Sequence, residues 1–324
     1  MMKAIVQDVY GSADVLELRD IAKPGPGNGQ VLIRVRAAGV DQGVWHLMTG
    51  LPYLVRLFGY GLKNPKVPVR GREVAGVVEA VGPGTTRFAV GDEVFGTCDG
   101  SFAEYVCAKE DKLARKPASL SFEEAAASPI SGVTALQAVR DAGQVTVGQK
   151  VLILGAGGGV GSFAVQLAKA FGAEVTGVCS TGKVDLVRSL GADAVIDYRT
   201  TKIAGAGTLY DVILDTAGNR PLSLLRRLLV PKGTLVIIGG EGGGKLTGGF
   251  QRSLVAPLVA MFSGRKLKGL VAKETHLDLE ALASMIQAGS VKPVVDKVFP
   301  LDEAPAAIQY LREGRARGKV VVSV

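Results

Sequence analysis

The residues of this chain best placed to do chemistry lie in Gly155 to Gly161, GAGGGVG. Read as A-x-G-x-x-G, the motif puts Ala156, Gly158 and Gly161 at its fixed places, where a backbone without side chains lets a pyrophosphate approach closely. Gly159 and Val160 fall inside it, so the first N–H groups of a following helix would face the negative charge. The next cluster is Ser180, Thr181 and Lys183, with Tyr198 beyond it. An enzyme selective for NAD carries an acid at the end of the second strand to hold the ribose 2′-hydroxyl. This chain has Cys179 and Ser180 there. A lysine and a hydroxyl without a carboxylate favour a 2′-phosphate, so the pattern predicts NADPH. The alternative reading of Lys183 is a solvated residue near a helix start.

These residues need a strand, a turn and a helix to position them. Val151 to Leu154 is a short apolar run of buried-strand type, and Val160, Ala164, Leu167, Ala168 and Phe171 follow at helical spacing. Glu174 to Cys179, Ala194 to Asp197, Val212 to Asp215, Thr234 to Ile238 and Lys266 to Val271 read as further strands of a doubly wound sheet. Ahead of the glycines the pattern is different, with short alternating strands at Lys3 to Gln7, Val15 to Arg19, Val31 to Ala37, Val74 to Val81 and Ala103 to Ala108. Turns at Pro24 to Gly29 and Gly82 to Thr85 punctuate a small β-rich domain. From about Thr275 the chain carries helices at Ala281 to Ala288 and Ala304 to Arg312 and a strand at Lys319 to Val322, expected to return to the first domain.

With a net charge of +8, 47% hydrophobic residues and 21% charged ones, the chain has the composition of a folded globular protein. Its basic residues are dispersed, which argues against a nucleic-acid partner; Arg312 to Lys319 is the best candidate for one. No secretory signal is visible in MMKAIVQDVY and no apolar run approaches a membrane span. The 3 cysteines, Cys98, Cys107 and Cys179, are odd in number and lack metal-ligand spacing, which points to a reduced, cytoplasmic setting. Two apolar segments, Leu51 to Gly61 and Leu254 to Phe262, are expected to pack in the core or an interface or to line a substrate cleft. Pro257 argues against one long helix in the second.

Taken together these residues resemble the medium-chain dehydrogenase/reductase superfamily, in its zinc-independent quinone oxidoreductase or zeta-crystallin branch. Gly148, Gln149, Leu152, Ala156 to Gly159, Gly161, Gln166 and Lys169 match the branch signature, Gly71, Glu73 and Gly76 the glycine–acid–glycine motif, and GRARGKVVVSV the C-terminus. The resemblance implies an α/β fold: a GroES-like β-rich catalytic domain, residues 1–125 with 266–324, and a Rossmann doubly wound parallel-sheet domain, residues 126–265, binding NADPH. It implies Thr134 at the nicotinamide, Gly158 to Val160 at the pyrophosphate, and Ser180, Lys183, Tyr198 and Arg315 around the 2′-phosphate. Thr216, Ala217, Ile238, Gly239, Gly240 and Lys319 complete the implied cofactor set. It also implies a homodimer joined edge to edge at Lys266 to Val271.

The departures are informative. Zinc alcohol dehydrogenases of the superfamily carry cysteine where this chain has Asp41 and histidine where it has Arg72, and the four-cysteine structural loop is absent, so metal-free chemistry is expected. Quinone reductases of the branch usually show asparagine at Asp41 and an acid at Val44. Tyr53 is similar to the tyrosine that related enoyl reductases place beside the reacting carbonyl; a cleft-wall aromatic is the other reading. His46, one of 2 histidines, is a candidate proton donor or a structural residue. The expected reaction is hydride transfer from NADPH to a quinone or α,β-unsaturated carbonyl. A zinc-independent NADP-dependent alcohol or aldehyde dehydrogenase is the alternative, and a low-turnover NADPH-binding interaction protein a further one.

Overall fold

The computed structural model describes residues 1–203, 207–240, 244–261 and 264–324. The first stretch of chain runs β1 (Met2–Val6), β2 (Glu17–Ile21), β3 (Gln30–Val40), α1 (Gln42–Thr49), β4 (Glu73–Val81), β5 (Glu93–Thr97), β6 (Tyr105–Lys109), β7 (Leu113–Arg115), α2 (Phe122–Ala126) and α3 (Pro129–Gln137). It continues through β8 (Lys150–Leu154), α4 (Gly159–Ala170), β9 (Glu174–Cys179), α5 (Val184–Ser189), β10 (Ala194–Asp197), β11 (Tyr210–Asp215), α6 (Leu222–Arg227), β12 (Leu229–Ile237), α7 (Phe250–Met261) and β13 (Lys266–Gly269). It ends with α8 (His276–Gln287), β14 (Val295–Pro300), α9 (Ala304–Arg312) and β15 (Lys319–Ser323). Two compact units result, one of Met1–Val133, Glu274–Ala288 and Pro293–Val324, the other of Thr134–Lys273 and Gly289–Lys292.

The first unit is built on β3. Its 11 residues pair antiparallel with β15 through Ala37 to Val40, with β6 through Gln30 to Arg34 and with β4 along Val31 to Ala37. Alternation along β3 sends Val31, Ile33 and Val35 into a core shared with Val74, Val78, Val94 and Val106. Beside it, Met48 of α1 and Ala307 and Ile308 of α9 pack with Ile5, Phe102 and Val322 in a second cluster. Asp41 caps α1 by accepting a hydrogen bond from the Val44 N–H, and Gly50, at φ 62°, ends it. α8 begins at His276, five residues before Ala281, because the Thr275 side chain accepts from the Asp278 N–H and caps it there.

The second unit is a parallel sheet in the order β10-β9-β8-β11-β12-β13. Counted from β8 that is 3-2-1-4-5-6, the dinucleotide-binding order, with the reversal between β8 and β11. Val151, Leu152 and Ile153 of β8 are fully buried, as expected of a central strand covered on both faces. β13 is the last strand of this sheet, pairing Thr234 to Ile237 of β12 with Lys266 to Gly269; the second unit therefore extends through Lys273. α7 continues through Pro257 and exposes Leu254, Leu258 and Met261; Phe262 lies outside the described residues. Among the described residues no helix is long and apolar enough to cross a membrane.

Candidate functional site

Within the second unit, the carboxyl ends of β8 to β12 gather most of the residues expected at a cofactor. After β8 the chain reverses at Gly155, whose φ of 79° is left-handed territory that glycine enters at little cost. The N–H groups of Gly155 and Ala156 both donate to the Val178 carbonyl at 3.0 Å, which stitches the turn to β9. Ser162 is the first residue of α4 whose N–H bonds back, to the Gly158 carbonyl at 2.9 Å. The N–H groups of Gly159, Val160 and Gly161 therefore precede the helical ladder, and Gly158 caps the helix with no side chain of its own. A Cβ on Gly161 would sit 2.1 Å from the Gly155 carbonyl oxygen, so only glycine allows turn and helix to close this tightly. A glycine-rich turn with free N–H donors at a helix start fits the pyrophosphate of a nicotinamide dinucleotide.

Ser180 and Lys183 follow β9, and Tyr198 follows β10, so the sheet brings them to the same end. The stem of Lys183 covers Gly157, where a Cβ would lie 2.8 Å from the Lys183 Cβ. Tyr198 is exposed, with Arg220 5.7 Å from its ring centre. Asp197, which the sequence reading passed over, places an acid at the end of β10. Its carboxylate accepts from the Thr181 hydroxyl and from the Arg199 N–H at 2.9 Å, and these bonds hold it below the usual carboxylate range. Thr216 donates through Oγ1 to the Leu154 carbonyl at 2.6 Å, while the N–H groups of Ile238 and Gly239 converge on the Asp215 carbonyl at 3.0 Å. Ala217 and Gly240 are half-buried beside them, and Thr134, on α3, is half-buried where this unit begins. The buried Asp215 side chain accepts from Arg252 at 2.7 Å and from the Gly218 N–H at 2.9 Å, an anchor that no motif announced.

The first unit holds the remaining candidates. Asp41 uses Oδ1 on the Val44 N–H at 2.9 Å, and its buried Oδ2 has no hydrogen-bond partner. The His46 ring stands edge-on to Trp45, and its Nδ1 lies 2.6 Å from the Leu51 carbonyl; a carbonyl only accepts, so Nδ1 carries the proton there. Tyr53 is 44% exposed, with the Arg56 guanidinium 4.9 Å from its ring centre. Arg72 donates through Nη2 to both Glu274 oxygens, at 2.7 and 3.0 Å. Burial opposes its charge, but Glu274 and Asp41 outweigh that and raise its pKa. Glu73, fully buried, pairs with Lys319 and accepts from the Ile130 N–H at 2.9 Å.

Lys319, which the resemblance placed in the cofactor set, is 2% exposed and its ammonium is ion-paired with the buried Glu73 carboxylate. Arg315 is an exposed residue of the first unit, ion-paired with Glu313 and set 5.2 Å from the Tyr310 ring centre.

Residues 27–118 match the alcohol dehydrogenase GroES-like domain model, and residues 190–322 match the model described as zinc-binding dehydrogenase. The 2-methylene-furan-3-one reductase of Solanum lycopersicum is 35% identical over 99% of this chain and 79% of its own length. Among solved structures, the quinone oxidoreductase from Coxiella burnetii is 28% identical with a TM-score of 0.85, over 100% of this chain and 99% of that one. A structure titled NAD-dependent alcohol dehydrogenase is 30% identical with a TM-score of 0.84, over 100% of both chains.

Proposed function

This chain belongs to the medium-chain dehydrogenase/reductase superfamily and is an oxidoreductase, and we propose that it is a zinc-independent, NADPH-dependent reductase of quinones or α,β-unsaturated carbonyls. The observation that carries the reading is the cradle at Gly155 to Gly161, where three N–H groups ahead of the α4 ladder meet a glycine turn too tight at Gly161 for any side chain. Gly158 to Gly161 would hold the pyrophosphate, and Thr134, Ala156, Thr216, Ala217 and Ile238 to Gly240 the rest of the dinucleotide. The bound nicotinamide supplies a hydride. Preference for the 2′-phosphate is supported by Ser180, Lys183 and Tyr198 and by the engagement of Asp197 with Thr181 and Arg199.

Metal-free chemistry is supported by what stands at the two substituted ligand positions. Arg72 fills one with a cation already held by Glu274, and Asp41 fills the other as a helix cap. An enone gains a hydride at its β-carbon and a proton at its α-carbon, and a quinone ends with both hydrogens on its oxygens, so the protein must offset negative charge on the acceptor oxygen and deliver the proton. Tyr53 is the exposed hydroxyl donor suited to the first role, and His46, with its Nδ1 fixed on Leu51, to the second. Asp41 Oδ2 remains as an acceptor for a ligand hydroxyl or a water.

A homodimer paired through the terminal strand β13 and a cytoplasmic location belong to the same proposal, with small molecules rather than nucleic acids as partners. The test is steady-state oxidation of NADPH against a panel of quinones, enones and saturated aldehydes. Turnover of quinones or enones is expected. Turnover confined to the aldehydes would establish the alcohol dehydrogenase reading instead.

A further inference from the structure

The outward face of α7 carries a stripe of large apolar side chains. Leu254, Leu258 and Met261 recur at helical spacing and are 68%, 62% and 76% exposed, with Val255 beside them. The opposite face is the one that packs: Ala256 is buried, and Val259 and Ala260 rest on the core with Leu235, Ile237 and Leu267. The helix has one charged residue, Arg252, and its guanidinium is turned inward onto Asp215. Leu246, in the turn that leads into α7, is exposed as well. A folded chain seldom leaves so many large apolar side chains together in water unless something covers them.

The charge around the stripe says what that cover is. Between Thr216 and Lys273 the sequence holds ten of the chain's 38 basic residues and one of its 30 acids, Glu241, so the rest of the chain is close to neutral and this segment supplies the net charge of +8. Exposed cations stand at both ends of α7. Lys245 shares the leading turn with Leu246; at the far end Lys266 opens β13, and the N–H of the exposed Lys232 donates to the Gly264 carbonyl at 3.1 Å. A second copy laid on the stripe would set these cations against themselves, and a nucleic acid would leave the leucines in water. An anionic bilayer meets both needs, because its phosphates face the lysines while the apolar side chains reach the acyl boundary about 5–10 Å deep. We propose that α7 seats this chain on an anionic phospholipid surface, with Leu254, Leu258 and Met261 in the lipid and Lys232, Lys245 and Lys266 among the headgroups. The surface lies wholly in the second unit and does not rest on the cofactor reading.

Co-sedimentation of the whole protein with sucrose-loaded vesicles tests it without any turnover. Vesicles of mixed phosphatidylcholine and phosphatidylglycerol should bind the protein at least about tenfold more tightly than phosphatidylcholine alone, which is about 1.4 kcal/mol, and added salt should weaken the binding. Leu254→Gln combined with Leu258→Gln should lower the affinity for the mixed vesicles at least about tenfold, and Lys245→Glu combined with Lys266→Glu should do the same, both at an unchanged melting temperature. A parent protein that stays off the mixed vesicles, or binding untouched by the leucine pair, overturns the proposal. Insertion has its own readout: the emission gained in Leu258→Trp over that of Trp45 should be quenched by brominated phosphatidylcholine in the mixed vesicles, and no quenching overturns it. The other occupants are measured alongside. A smaller sedimenting mass for the leucine pair in lipid-free buffer would make the stripe a contact between copies. Binding of a duplex oligonucleotide in place of vesicles, weakened by the lysine pair and not by the leucine pair, would assign the cations to nucleic acid. Either result overturns the lipid assignment.

Discussion

Replacing Lys319 by Met should destabilise the first unit by about 3–5 kcal/mol, the usual cost of leaving one member of a buried ion pair alone. The structure sets the conditions for that figure. Glu73 is 0% exposed and Lys319 2%, so water cannot replace the lost ammonium, and among the described residues the Ile130 N–H at 2.9 Å is the one other donor to the carboxylate. Urea unfolding followed by fluorescence of Trp45, the single tryptophan and a member of the first unit, reads that unit directly. Burial already raises the Glu73 pKa, and Lys319 opposes the rise. Without Lys319 the folded state keeps a proton that the unfolded chain has released, so above the ordinary carboxylate range the native state binds more protons. Stability of the variant relative to the parent must then fall as pH rises, with a smaller deficit at about pH 5 than at about pH 8. Glu73→Leu combined with Lys319→Met should recover most of the loss, because an apolar pair leaves no charge to solvate. A deficit below about 1 kcal/mol, or one independent of pH, would refute the reasoning. The Michaelis constant for NADPH should be unchanged in the single variant, since the Lys319 ammonium is ion-paired with the buried Glu73 carboxylate.

The other outcomes concern the cofactor and the metal. Lys183→Ala should weaken NADPH by about tenfold or more while leaving NADH nearly unaffected, because only NADPH offers a phosphate to the ammonium; equal losses in a binding titration would remove Lys183 from that role. Gly161→Ala drives a Cβ to 2.1 Å from the Gly155 carbonyl oxygen and 2.8 Å from the Ala156 Cα, both backbone atoms. It should cost about 1–3 kcal/mol in thermal unfolding and weaken both dinucleotides together. Prolonged dialysis against a zinc chelator should leave activity intact, and a loss restored by added zinc would reject the metal-free reading.

The parallel sheet was legible because each of its signals is local. Val151 to Leu154, the glycine turn and the amphipathic run after it follow one another without interruption, and the structure builds β8, the turn and α4 from them. The α9 helix was equally plain, beginning and ending at Ala304 and Arg312. In the β-rich unit the reading missed β5, β7 and β14. Gly96 interrupts the alternation of β5, yet a Cβ there would meet the Lys112 carbonyl oxygen at 2.1 Å, so glycine is what lets β5 and β7 close together. That requirement comes from a neighbour 16 positions away and leaves no local trace.

By itself, then, the sequence determined the turn that receives a dinucleotide, the strands that carry it, and the absence of a cysteine and a histidine at two positions where zinc is held in relatives. Only the tertiary structure decided what the charged residues do. Lys319 and Glu73 are separated by 246 positions and Arg72 and Glu274 by 202, so whether each ion has a partner was fixed when distant segments packed, and not by any spacing along the chain. The same packing buried Arg70, pinned by its backbone to Ile5 and Phe102, and left its Nε without a hydrogen-bond acceptor.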